Sequence, residues 1–261
     1  MSGFERLLSF DGIENFRDFG GYSAAGGRRL AAGRLYRSAH HGMASDADLT
    51  RVAALRLHSL VDLRRPTERA RAPSRRPQGF SAAVIDNDLD DQPIDPYHTH
   101  LLESDHSVAA MRGFLFDYYR DALLERRHID LFARYFHALA DADGPVLIHC
   151  AAGKDRTGLL AALTHRLLGV SDTDMEADYL LTNDEARFAR RAPQFAAFVQ
   201  DLTGRAPSPE AIFVTMGVEA AYLHTAFDAV EAQYGSVEGY LETALGVDER
   251  LRDRIETRLL V

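Results

Sequence analysis

The sequence lacks tryptophan, and its 261 residues include one cysteine, Cys150, and one lysine, Lys154. A lone cysteine excludes a disulfide framework and a cysteine-based metal site, and it fits a reducing compartment. No apolar run approaches the length of a membrane span, and residues 1–10 lack the basic start and apolar centre of a signal peptide. No transmembrane segment is therefore expected, and the cytoplasm is the default location. A basic balance is missing too: the net charge of −9 argues against a general nucleic-acid binder. No internal repeat or low-complexity tract stands out. What remains is a chain 46% hydrophobic and long enough to bury a substantial core as one domain spanning residues 1–261.

The two scarce residues lie together in Val146-Leu-Ile-His149-Cys150-Ala151-Ala152-Gly153-Lys154-Asp155-Arg156-Thr157-Gly158. The apolar run stops at His149. Leu159, Leu160, Leu163, Leu167 and Leu168 then recur at helical spacing until Gly169. This pattern predicts a buried strand, a tight loop and a helix starting near Arg156. The N–H groups of such a loop, with the helix N-terminus, favour a bound oxyanion. The same field and the Arg156 guanidinium favour the thiolate form of Cys150. A thiolate beneath a bound phosphate suits covalent phosphoryl transfer through phosphocysteine. Arg156 would grip two phosphoryl oxygens, while amides of residues 151–156 supply further donors. A lone Cys-x5-Arg arises readily by chance, so the flanking strand, Gly153 and the helix carry the weight.

Turn signals at Gly20-Gly21 and Gly26-Gly27 suggest strands and a hairpin in residues 10–38. Arg17 and Arg37 read there as structural ion-pair partners more than as site residues. Ser45 or Asp46 caps a helix, and His58 to Leu63 reads as a buried strand. Strand C-termini face the ligand crevice of an open α/β sheet, so Asp62 and Arg64 either support the site or merely brace its loop. The arginine-rich stretch from Arg64 to Arg76 reads as a solvated face or an electropositive rim. Phe80 to Ile85 suggests another strand, followed by a loop carrying Asp86, Asp88, Asp90, Asp91 and Asp95. His98 and His100 beside it have metal-ligand chemistry but no defined further ligands. Met111 to Leu124 and Ile129 to Leu139 are helical in pattern, and Ser171 opens a largely helical remainder broken at Gly204 to Pro209.

His149 through Gly158 resembles the signature loop of the cysteine-dependent protein tyrosine phosphatase superfamily. The Lys154-Asp155 pair is similar to a bacterial branch, that of mycobacterial protein tyrosine phosphatase B. Asn15 to Tyr22, Gly33 to Ser38, Val61 to Arg64, Ala177 to Leu180 and Tyr234 to Leu241 look like that branch as well. The resemblance implies an α/β fold, a central, mostly parallel sheet flanked by helices, with a helical C-terminal elaboration. It implies a phosphatase acting on phosphorylated proteins or peptides, with broad specificity extending to phosphoinositides and no metal or other cofactor. By the same resemblance His149 orients the loop and Thr157 assists breakdown of phosphocysteine; roughly residues 188–217 are either a helical lid, as the resemblance implies, or ordinary core packing of C-terminal helices. Export as an effector without a typical signal peptide is also implied as an option.

The general acid is open at this level, because the usual Trp-Pro-Asp loop cannot exist without tryptophan. The resemblance favours Asp155, which must be protonated to donate; the alternative is Asp88 or Asp90 in the acidic loop. A nucleotide-binding Gly-x4-Gly-Lys-Ser/Thr loop is excluded, since Asp155 follows Lys154. An arsenate reductase would need resolving cysteines, and a sulfurtransferase loop lacks the His-Cys-x5-Arg-Thr-Gly pattern. A catalytically inactive phosphate-binding module is the remaining alternative.

Overall fold

The computed structural model describes residues 6–89 and 96–261. Five strands form one sheet: β1 (Arg17–Asp18), β2 (Leu35–Ser38), β3 (Ser59–Asp62), β4 (Ala83–Ile85) and β5 (Val146–His149). Their order is β1-β2-β5-β3-β4. Only β1 is antiparallel to its neighbour; every other pairing is parallel. Side chains alternate across β3 and β5 as a two-residue period requires. Leu60 and Leu147 face a small cluster with Ile13, Phe16 and Val52, the last from α1 (Asp46–Ala54). Val61, Val146 and Ile148 face the larger core. Both faces are thus covered, as a parallel sheet demands.

The larger core is helical. It gathers α4 (Val108–Ala122), α5 (Arg126–Asp141) and α6 (Asp155–Leu167) with α10 (Ala220–Tyr234), α11 (Val237–Thr243) and α12 (Glu249–Leu259). Three further helices are α2 (Pro66–Arg71) between β3 and β4, α3 (Pro96–Glu103) before α4, and α7 (Asp172–Leu180) after α6. The pair α8 (Glu185–Thr203) and α9 (Pro209–Met216) is separated at Gly204, which takes a left-handed φ of 73°. No helix among the described residues is long and apolar enough to cross a membrane.

Boundaries follow local chemistry. The helix expected from Met111 starts earlier, at Val108, because the Ser107 hydroxyl accepts the Ala110 N–H at 3.1 Å. Ser45 closes a reciprocal capping box with Asp48 at the start of α1. The strand expected from Phe80 begins only at Ala83, since the Phe80 N–H turns back to the Pro77 carbonyl. The arginine run from Arg64 is not one solvated face. Arg64 and Arg65 are buried. Arg64 folds back on Asp62, its Nε and Nη2 donating to the two carboxylate oxygens at 2.9 and 2.7 Å.

Parallel register sets the site. Ser38 and Asp62 both pair with His149, so the C-terminal ends of β2, β5 and β3 form one row. The loop after β5 rises from the middle of that row, where open α/β sheets place their ligand crevice.

Several ionisable groups are buried in their less readily protonated form. Burial pushes His149 down to about 4 and also lowers His41, His128 and His165. Below about pH 6.5 the unfolded chain binds protons that these folded imidazoles refuse, so their stabilising contribution is present above that value and is lost as pH falls. For Asp178 and Glu68 burial favours the neutral form, but arginine neighbours outweigh it and hold both at about 2. Their contribution is present above the usual carboxylate range and is lost toward pH 2. Denaturant unfolding at pH 7.5, 6, 5 and 4 should therefore show falling stability, with His149 alone contributing about 3 kcal/mol. A flat profile from pH 7.5 to 5 would contradict the neutral, buried state of these rings.

Candidate active site

The loop from Cys150 to Lys154 joins β5 to α6. Gly153 has φ +64°, and a Cβ there would sit 2.4 Å from the Ser38 carbonyl carbon. Only glycine permits both that conformation and that approach to the end of β2. Four successive carbonyls of the loop are held from outside. The His40 N–H donates to Ala151 O at 3.1 Å. Asn15 Nδ2 donates to Gly153 O at 2.7 Å and to Ala152 O at 3.4 Å. Arg37 Nη2 reaches Gly153 O at 3.1 Å and Lys154 O at 3.5 Å. A trans peptide carries its N–H opposite its carbonyl, so the amides of residues 152–155 point the other way and form an anion nest.

The outer support is itself anchored. Arg17 and Arg37 share Asp178 of α7, with Nε of Arg17 at 3.4 Å and Nη1 of Arg37 at 2.8 Å. All three side chains are essentially inaccessible to water. Burial and the nearby Arg37 lower Arg17 to about 10. The two cations are thus held close together by one carboxylate.

Cys150 is buried, at 2% exposure, on the wall of a cavity of about 520 Å³. Ala151, Ala152, Lys154, Asp155 and Arg156 line the same cavity. Gly153 does not; it is turned toward β2. Arg156 is gripped by Glu68 of α2 through two parallel contacts of 2.5 and 2.8 Å, and Nη1 also donates to Leu63 O at 3.1 Å. Burial works against charge on both partners, yet their mutual attraction keeps Glu68 low and raises Arg156 well above its usual value. Asp155 accepts from the Tyr119 hydroxyl at 2.7 Å and lies 3.4 Å from Lys154 Nζ, both contacts being to Oδ1. Lys154 also donates to the Thr215 carbonyl of α9 at 2.5 Å.

Beneath the loop, the His149 ring lies 5.2 Å from His41 in a stack. Its Nδ1 is 3.3 Å from Cys150 O, and its Nε2 is 3.6 Å from Asp62 without forming a hydrogen bond. Asp62, at the end of β3, is held well below the usual carboxylate range; burial opposes this, and His149 and Arg64 bring it about. Thr157 is fully buried, and its hydroxyl has no hydrogen-bond partner among the described residues, the Cys150 sulfur included. Above the loop the walls are aromatic: Tyr97 from α3, Phe114 and Tyr118 from α4, Phe195 and Phe198 from α8.

The sequence profile of the tyrosine phosphatase family matches residues 8–261. The chain belongs to the tyrosine phosphatase family. It is similar to a Cupriavidus necator protein provisionally named a tyrosine-protein phosphatase, at 36% identity over 92% of this chain and 85% of that one. It is also 31% identical to the triple specificity protein phosphatase PtpB of Mycobacterium tuberculosis, covering 95% of this chain and 97% of the relative. A tyrosine-protein phosphatase of Nostoc commune is 30% identical over 88% and 75% of the two chains. The family profile thus spans nearly the whole chain, and the chain is itself a phosphatase.

In the phosphatase, the acidic loop and the signature loop are not brought together by any described residue. Asp88 is exposed, pairs with Arg69 and does not line the cavity; Asp90 lies outside the described residues. His98 and His100 diverge. His98 contacts Arg71 at the cavity rim, at 3.1 Å, whereas His100 stacks on Phe114 at 4.5 Å. Among the described residues no group of three or more ligating side chains could hold a metal ion.

Three residues of the site escaped the sequence reading, Glu68, Tyr119 and Arg187, while Asn15 entered it only within the Asn15 to Tyr22 resemblance. Only Glu68 left a local signal, as the third helical residue after the capping position of α2, where its carboxylate accepts the Arg65 N–H at 2.7 Å. Asp178→Ala in the phosphatase leaves Arg17 and Arg37 buried without their shared anion. Its unfolding free energy should fall by about 3–5 kcal/mol. A loss below about 1 kcal/mol in denaturant titration would mean that the loop's support lies elsewhere.

Proposed function

We propose that the phosphatase hydrolyses phosphomonoesters through a phosphocysteine intermediate on Cys150. The thiolate attacks phosphorus, forming the S–P bond as the ester P–O bond breaks. Arg156 and the loop amides hold the equatorial oxygens where charge builds up. Asp155 protonates the departing oxygen. Its carboxylate then takes a proton from the water that cleaves the S–P bond, releasing phosphate and restoring the thiolate. The observation that carries this reading is the meeting of Cys150, Arg156 and Asp155 on one cavity wall, with Glu68 orienting the guanidinium.

His149, Thr157 and Asp62 act from beneath. The neutral His149 ring and Asp62 brace the base of the loop, and the unpartnered Thr157 hydroxyl is available to the thiolate as it is regenerated. The chemistry needs Cys150 reduced, as a cytoplasmic setting provides.

Phosphotyrosine in proteins and peptides is the first substrate, since its ring would lie between the aromatic walls while its phosphate meets the loop. A cavity of about 520 Å³ also admits phosphoserine, phosphothreonine and phosphoinositide headgroups, so the specificity is broad. The PtpB relative is named for triple specificity, which supports that breadth. The helices over residues 188–217 act as a lid. Phe195, Phe198, Thr215 and Met216 cover the cavity from that side, and the Lys154 contact to Thr215 ties the cover to the loop.

Phosphate release from a phosphotyrosine peptide, a phosphoserine peptide and a phosphoinositide series tests the reading, with Cys150→Ser as the blank. Asp155→Asn should lower kcat on the phosphotyrosine peptide by about 100-fold or more. Wild-type turnover no greater than that of Cys150→Ser would overturn the mechanism. An Asp155→Asn variant near wild type would move the acid elsewhere.

A further inference from the structure

Asp155 is the outer member of a buried hydrogen-bond chain. The Tyr119 hydroxyl of α4 is 2.7 Å from its Oδ1, and the Tyr179 hydroxyl of α7 is 2.5 Å from that of Tyr119. A carboxylate only accepts, so Tyr119 donates to Asp155 and accepts from Tyr179. Both tyrosines are sealed from water, at 0% and 1% exposure. Burial first, then the nearby charge of Asp155, raises both phenols well above their usual value, so they remain donors throughout.

The fold is built to hold this chain. A Cβ at Gly158 would lie 2.6 Å from Tyr179 Cε2, so the last glycine of the signature stretch leaves the room that the ring occupies. Tyr222 of α10 stacks on Tyr119 at 5.1 Å and 23°, which restrains rotation of that ring. Adjacent residues of α7 therefore reach the loop by separate routes: Asp178 through Arg37, and Tyr179 through Tyr119.

We propose that Tyr119 and Tyr179 are positioning residues for the leaving-group proton, holding Oδ1 of Asp155 so that Oδ2 carries the proton. The inference rests on the loop-acid reading above. In the forward step the Oδ2 proton goes to the ester oxygen as the P–O bond breaks. In the second step the attacking water returns a proton to Oδ2. The tyrosine protons do not leave their oxygens. Other groups also face Asp155: Lys154, Arg156 and Cys150 in the loop, Arg187 from α8, Tyr118 from α4 and Tyr222 from α10. Among the described residues, only Tyr119 donates a hydrogen bond of normal length to its side chain.

The experiment compares kcat and KM on phenyl phosphate, a poor leaving group, and p-nitrophenyl phosphate, a good one. Tyr119→Phe keeps the ring and removes the donor. It should lose about 10-fold in kcat on phenyl phosphate and under about 2-fold on p-nitrophenyl phosphate, with KM unchanged. Tyr179→Phe should show the same pattern more weakly, and it serves alone if Tyr119→Phe fails to fold. Equal losses on both esters, or a loss carried by KM instead of kcat, would reduce the tyrosines to packing and overturn the proposal.

Asp155→Asn runs beside them. If it discriminates between the esters and Tyr119→Phe does not, the relay alone fails. If Asp155→Asn does not discriminate either, the loop-acid reading fails and takes the relay with it.

Discussion

The site depends on one buried arrangement, two arginines sharing the carboxylate of Asp178. Removing three charges from water is costly, and such clusters contribute little net stability compared with a well-packed apolar core. Its value here is directional. Arg37 draws the carbonyls of Gly153 and Lys154 outward, Arg17 engages the Asn15 side chain, and Asn15 holds Gly153 again. Peptide planarity converts those outward carbonyls into inward amides. A nest held in this way is preorganised, and under the proposed mechanism it would need no reorganisation as phosphate charge develops.

The same logic recurs around the nest. Glu68 holds the guanidinium of Arg156 through two contacts, and Leu63 O adds a third. Tyr119 holds one oxygen of Asp155, and Lys154 spans from that carboxylate to Thr215 on α9. Arg156 and Asp155 are each fixed by a neighbour that is itself buried and partnered. The cavity above differs in character. Its aromatic walls from α3, α4 and α8 offer apolar area, in contrast to the charged and hydrogen-bonded floor.

Much of the fold was legible in the chain. The strand, loop and helix around Cys150 came from an apolar run, a glycine and leucines at helical spacing, and β5 and α6 stand where that pattern placed them. Ser45 and Ser171 marked helix starts because a hydroxyl capping an N–H is a contact within four residues. The stretch from Arg64 to Arg76 divided between the readings: Asp62 captures Arg64 across two residues and buries it, Arg65 and Arg71 line the cavity as a rim would, and Arg75 stays exposed.

By itself the sequence determined the elements whose signals are local: the strand and loop around Cys150, the helix that loop feeds and the serine-capped helix starts. The tertiary structure alone decided which distant groups meet them. Glu68 faces Arg156 across 88 positions, Asp178 faces Arg37 across 141, and Tyr119 faces Asp155 across 36. No periodicity or short motif encodes such pairings. They arise because parallel register lines up the ends of β2, β5 and β3, and because helices packed on one sheet face bring their inward residues to the same loop.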